Sequence, residues 1–172
     1  MLVLLLSAAI AAVPPASVIT PAAVARMIHR LGPRGTVDKL AGDKGADLGE
    51  YEEVLDGIAS GDARWLALVP KLQPGTDAGT SEALRIAVAE ALPKTPTGVL
   101  RLIARIPAWA EACSYPMIEP THEQARAYFK AAIPAVTRVR IVALQRARNI
   151  CLTELRRAQH SSQSPLPTQS GH

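Results

Sequence analysis

The sequence predicts an all-α protein, built of antiparallel helical hairpins packed as an orthogonal bundle or a short HEAT-like α-solenoid. Three observations predict it. Apolar residues recur at helical spacing along most of the chain, no stretch shows a convincing period-2 alternation, and helix-start signals stand in front of the periodic stretches. The chain has 172 residues, of which 48% are apolar, 20% charged and 3% aromatic. That length suits one domain, and the apolar fraction supplies a globular core. Two Trp, three Tyr and one Phe are too few for a large β-sandwich or for base-stacking platforms.

The elements follow in order. Thr20 caps a first helix with Pro21 at its first position; Val24, Met27, Ile28 and Leu31 carry its apolar face, and Gly32-Pro33 ends it. Residues 32–49 are rich in glycine and charge and read as a loop with one short turn about Val37 and Leu40. A second helix starts near Leu48, with Tyr51, Val54, Leu55 and Ile58 on one face, and Gly61 stops it. Asp62 caps a third, marked by Trp65, Leu68, Val69 and Leu72 and closed by Pro74-Gly75. Thr80 or Ser81 caps a fourth (Leu84, Ala87, Val88, Ala91, Leu92), and Thr95-Pro96 opens a fifth (Val99, Leu100, Leu102, Ile103).

Residues 109–120 are irregular, because Pro116 and Pro120 impose extended backbone. Thr121 and Gln124 have the spacing of a capping box at the head of a long helical stretch. Pro134 should break or kink it, and the helix should resume from Ala135 to Gln159 with Leu144, Ala147, Cys151 and Leu155 on one face. Helices of about ten to fourteen residues with short connections favour antiparallel neighbours.

The ends differ from the middle. Residues 1–12 form an apolar run closed by Ala9-Ile10-Ala11, the pattern of a secretory signal, although no Lys or Arg precedes it. A buried N-terminal hydrophobic helix is the alternative. The expected organisation is a signal peptide over 1–12, one helical domain over 20–159 and a flexible Ser/Gln/Pro-rich tail over 160–172. Export implies a periplasmic or secreted protein. No apolar run is long enough for a transmembrane span.

Cys113 falls in the irregular segment and Cys151 on the apolar face of the last helix. In an oxidising compartment they would form a disulfide pinning that segment to the helix; the alternative is two buried free thiols.

Charge is uneven. Residues 1–120 carry 11 basic and 13 acidic side chains, and residues 121–172 carry 8 and 2, so the second part is strongly positive. At helical spacing Arg138, Arg146, Arg156 and Arg157 fall within about a 100° arc of the last helix, opposite Leu144, Cys151 and Leu155. Such a face would suit an anionic envelope component or an acidic protein partner. It is also what a solvated helix face looks like near a C-terminus, where arginines meet the helix dipole favourably. Arg140 and Arg148 point nearer the apolar side and call for carboxylate partners. No nucleic-acid-binding motif accompanies the charge.

No catalytic constellation stands out, and neither a cofactor nor a metal is expected. His29, His122, His160 and His172 are scattered without metal-ligand spacing. Gly75, Asp77, Gly79, Thr80 and Ser81 lie in a glycine-rich loop entering a helix, which can hold an anion or can be a turn capped by Asp77 or Thr80. Glu52, Glu53, Glu90 and Glu119 are the carboxylates that would have to converge for glycan cleavage.

The run Asp56-Gly57-Ile58-Ala59-Ser60-Gly61-Asp62, then Trp65-Leu66, Pro74-Gly75-Thr76-Asp77-Ala78-Gly79, Glu82, Ala91-Leu92-Pro93 and Val99-Leu100, resembles a group of small exported helical proteins from proteobacteria. Cys113 with Pro116-Met117-Ile118-Glu119-Pro120 is similar to that group's cysteine-and-proline segment, and the likeness covers roughly residues 48–155. It implies secretion, helices and periplasmic residence, and no activity or catalytic residue. In general shape alone the chain is also similar to small disulfide-bearing periplasmic immunity proteins of the Tai type. The function expected is a non-enzymatic periplasmic interaction module. A toxin-blocking immunity protein and a small envelope glycan hydrolase are the alternatives.

Overall fold

Pro21 opens the first helix because its missing N–H falls where a helix has no partner for one, and Thr20 Oγ1 accepts the Ala23 N–H at 3.2 Å. The computed structural model describes residues 19–42, 48–118 and 120–163; the expected leader over 1–12 and the tail beyond Gln163 lie outside the described residues. Helix α1 spans Pro21–Ala41 with a kink at Gly32, whose φ of 71° and ψ of 172° leave the helical region. The chain was expected to leave the helix there as a loop, but it turns once and resumes. Pro33 takes the first position of the new turn, Thr36 Oγ1 donates to the Gly32 carbonyl at 2.7 Å, and Val37 and Leu40 become buried.

Helix α2 is Glu50–Ala59, with three acidic side chains in its first turn, where they complement the helix dipole. The expected third helix is two short turns, α3 (Ala63–Leu66) and α4 (Val69–Leu72), followed by a 3-10 turn at Gln73–Gly75. Pro70 explains the division: its ring removes the N–H that would bond the Leu66 carbonyl. Helices α5 (Ala78–Ala91) and α6 (Pro96–Arg105) lead to a 3-10 turn at Pro107–Ala112. Helix α7 is His122–Thr137, and a third 3-10 turn, Val142–Leu144, precedes α8 (Gln145–Gln163).

Among the described residues there is no strand, and the protein is all-α. Helix α2 packs chiefly on α5 and α7 on α8, while α6 bridges to α8 and the 107–112 turn. The phenol of Tyr51, at the head of α2, lies close enough to Asp77, at the head of α5, to feel its charge. At the other end Lys94 Nζ, just past α5, donates to the carbonyl of Ala59, the last residue of α2, at 2.7 Å. These two helices therefore run parallel, with α3 and α4 as the crossover. Helices α7 and α8 form an antiparallel hairpin, since His122 Nδ1 lies 2.8 Å from the Ser162 carbonyl oxygen and their other ends are joined by a few residues.

One apolar core runs through the helices. Tyr51, Ile58, Leu72, Leu84, Leu92, Leu100, Phe129 and Leu155 are among its fully buried members. Each such aliphatic or aromatic side chain stabilises the fold by about 1.5–3 kcal/mol relative to exposure. The irregular segment is fastened to the rest of the fold: Cys113 and Cys151 are joined in a disulfide with 5.2 Å between their Cα atoms, Tyr115 meets Phe129 edge-on at 6.2 Å, and Arg85 Nη1 donates to Ser114 Oγ at 2.9 Å.

Candidate functional site

Residues 124–153 contain six Arg or Lys and no Asp or Glu. Helix α7 buries Ala125, Tyr128, Phe129, Ala132 and Val136, which leaves Arg126 and Lys130 on its exposed side. Pro134 does not end this helix. The helix stops after Thr137, and Arg138 serves as its cap, with its N–H bonded to the Pro134 carbonyl at 3.1 Å. The expected continuous helix from Ala135 to Gln159 is therefore interrupted at 138–144, and Arg138 does not share a helix with Arg146, Arg156 and Arg157.

The interruption makes a sharp corner. Val139 and Leu144 turn inward and are buried, so the residues between them are pushed outward. Val142 is 84% exposed and Ile141 43%, and Arg138, Arg140 and Arg146 are exposed around them. Among the described residues none of these three arginines makes an ion pair. Arg148 behaves differently. It is half-buried and was expected to need a carboxylate, yet its Nη1 donates to the Val139 carbonyl at 3.0 Å. That bond ties the corner to the first turns of α8. Beside the corner is a shallow recess of about 450 Å³ between Pro93, Pro96 and Thr97 on one side and Arg138–Ile141 on the other.

The other predicted basic residues are less available. Arg157 pairs with Glu154, and Arg156 is exposed on α8 about 15 Å of helix rise from Arg146. The sequence reading missed Arg140, Ile141 and Val142 as members of this surface. Two signals could have found them: the alternation Arg138-Val139-Arg140 beside Ile141-Val142, and the absence of acidic residues over the whole stretch.

The glycine-rich loop is a cap. Asp77 Oδ1 accepts the Thr80 N–H at 3.0 Å and the Thr80 hydroxyl at 2.7 Å, while Thr80 Oγ1 accepts the Asp77 N–H at 2.9 Å. The Thr80 hydrogen bonds hold the Asp77 carboxyl below its ordinary range. A negative charge from the chain itself thus occupies the place where an anion would bind. Gly75 is buried, and a Cβ there would overlap the backbone of Pro33, so this glycine lets the loop pass the α1 kink. Ser81 donates its N–H to the Asp77 carbonyl, and Gly79 faces open space apart from Asp77 Oδ1.

A second, polar recess of about 500 Å³ lies next to the disulfide segment, lined by Glu82, Arg85, Glu111, Ser114, Glu154 and Arg157 among others. Its arginines are already engaged: Arg85 with Glu82 and Ser114, Arg157 with Glu154. The Arg85 hydrogen bond holds the Glu82 carboxyl low. Of the carboxylates considered for glycan cleavage, Glu53 accepts the Ile19 N–H at 3.3 Å, and Glu119 lies outside the described residues. Among the described residues no group of three or more His, Cys, Asp and Glu converges as a metal site would require. No described helix is long and apolar enough to cross a membrane. No family model, curated protein or solved structure matches the chain.

Proposed function

We propose that this protein is an exported, non-catalytic interaction module of the periplasm that recognises an anionic partner through the α7–α8 corner. The observation that carries the reading is the corner itself: three exposed arginines without ion pairs among the described residues, set around two exposed aliphatic side chains, in a stretch devoid of acidic residues. Charged groups without internal partners contribute little to stability at an exposed site, so their concentration here is better explained by what they attract. Export is supported by the Cys113–Cys151 disulfide, a bond that persists in oxidising compartments and is rare in the cytosol, and by the apolar leader-like segment over 1–12.

The glycan-hydrolase reading has less support. It needs two carboxylates facing one another across a cleft, whereas Glu52, Glu53 and Glu90 line neither the recess beside the corner nor the one beside the disulfide segment. The experiment is site-specific photo-cross-linking in the native host. A photoreactive residue replaces Val142, and in a control chain it replaces Thr153, exposed farther along α8. An adduct at 142 that is absent at 153, and that disappears when Arg138, Arg140 and Arg146 are changed together to Gln, is the expected result. Equal labelling at both positions, or a protein confined to the cytosolic fraction, overturns the reading.

A further inference from the structure

We infer that the Arg138–Arg146 corner docks on the surface of a bilayer rich in anionic phospholipid, with Val142 and Ile141 entering the headgroup region. This rests on the reading of the corner as the contact surface and names its partner. The shape favours a lipid surface over a folded protein. The two aliphatic side chains sit on the short turn between α7 and α8, and Val142, 84% exposed, is the most exposed large apolar residue among those described. A fluid interface accommodates such a tip without a complementary pocket, and the apolar side chains gain by leaving water.

The charges fit the same occupant. Arg138 and Arg140 precede the tip and Arg146 follows it, so guanidinium groups flank the apolar pair along the chain. Guanidinium binds phosphate oxygens bidentately, and a lipid surface offers phosphates in whatever arrangement the arginines present. The lack of any Asp or Glu from 124 to 153 removes the repulsion that a negative leaflet would otherwise impose. The corner is also held in shape beforehand. Val139 and Leu144 are buried on either side of the tip, and Arg148 grips the Val139 carbonyl from within, so docking orders little new backbone.

The test is co-sedimentation of the full chain with vesicles of phosphatidylcholine alone and with vesicles in which about a third of the lipid is phosphatidylglycerol. The chain should partition onto the second kind, and each of R138Q, R140Q and R146Q should weaken that partition by about fivefold. V142D should abolish the gain while leaving thermal unfolding unchanged, because Val142 makes no part of the core. V142W should show a blue-shifted emission only with the anionic vesicles. The apolar residues over 1–12 are common to all variants and cannot produce these differences. Equal binding to both vesicle types, or anionic binding that V142D and the arginine variants leave intact, overturns the inference. So does a monomer–dimer equilibrium abolished by V142D, which would make the occupant a second copy. If vesicle binding fails while a protein adduct persists at position 142, the lipid assignment falls and the reading of the corner as a contact surface stands. If both fail, both fall.

Discussion

Gly57 lies flat against the indole of Trp65: a Cβ built on Gly57 would stand 2.6 Å from both Cδ2 and Nε1 of that ring. The missing side chain lets α2 come down onto α3 and buries Trp65 between them. Two effects of G57A oppose each other. Replacing a mid-helix glycine by alanine favours the helix by about 0.5–1 kcal/mol, whereas forcing a methyl into a filled contact costs about 1–3 kcal/mol. The clash wins because it involves the body of a buried ring and not a flexible tip. G57A should lower the urea midpoint and shift the Trp emission of the native state; an unchanged or raised midpoint would show that the contact is slack.

The Cys113–Cys151 bond closes 38 residues. In the chain-entropy account a loop of that length stabilises the folded state by about 4 kcal/mol. The double variant C113A/C151A should therefore unfold at markedly lower denaturant than the oxidised protein, and reductant should move the oxidised protein to nearly the same midpoint. The loss should fall first on residues 113–118, which are otherwise fastened to the helices by the edge-on contact of Tyr115 with Phe129 and the hydrogen bond from Arg85 to Ser114. Proteolysis within that segment after reduction, ahead of cleavage elsewhere, is the measurement. Equal resistance before and after reduction would contradict it.

Much of this architecture was legible because it rests on local chemistry. Thr20 before Pro21 and Thr121 before Gln124 announce helix starts by satisfying backbone N–H groups, and both caps are formed. The apolar faces of α2, α5 and α6 follow from spacing alone, and the two cysteines lie where a bond closes. What escaped depends on competition between signals. Gly32-Pro33 is both a stop and a start, and only the burial of Val37 and Leu40 decides that the chain resumes its helix. Pro134 announces a break, yet helix α7 continues past it, and the corner comes after Thr137. The parallel pairing of α2 with α5 leaves no trace in periodicity, because it depends on a crossover through α3 and α4. The exposed tip was hidden for a related reason: Ile141 and Val142 look like core residues until the interruption turns them outward.

Two buried tyrosines should respond oppositely to removal of their hydroxyls. Tyr128 OH donates to the Ala89 carbonyl at 2.9 Å, whereas Tyr51 OH is buried with no hydrogen-bond partner among the described residues. Y128F gives up a formed bond and should cost about 0.5–1.5 kcal/mol; the Ala89 carbonyl still accepts the Leu92 N–H, which limits the loss. Y51F removes an unsatisfied polar group whose burial is unfavourable, and should be neutral or stabilising by about 1 kcal/mol. Denaturant midpoints of the two single variants against wild type decide the matter. A Y51F loss equal to that of Y128F would mean that the Tyr51 hydroxyl has an unseen partner.

Acid should destabilise this fold through carboxylates that are better satisfied folded than unfolded. The side-chain and backbone hydrogen bonds of Arg64 pull the Asp62 carboxyl from its ordinary 3.8 to about 2. Asp77 is lowered by the Thr80 N–H and hydroxyl, and Glu82 by Arg85. For each of these groups the unfolded chain takes up a proton at higher pH than the folded chain does. Their contribution is fully present above the unfolded values, and it is lost as pH falls through the folded ones. Stability should thus decline between about pH 4 and pH 2 on account of these three groups. D62N is the discriminating variant: Asn caps a helix about as well as Asp but does not titrate. Unfolding midpoints measured through that window should fall less steeply for D62N than for wild type, while the two differ little near neutral pH, where the Asp62–Arg64 pair is exposed and weak. Parallel curves for the two proteins would show that Asp62 is no better satisfied in the folded chain than in water.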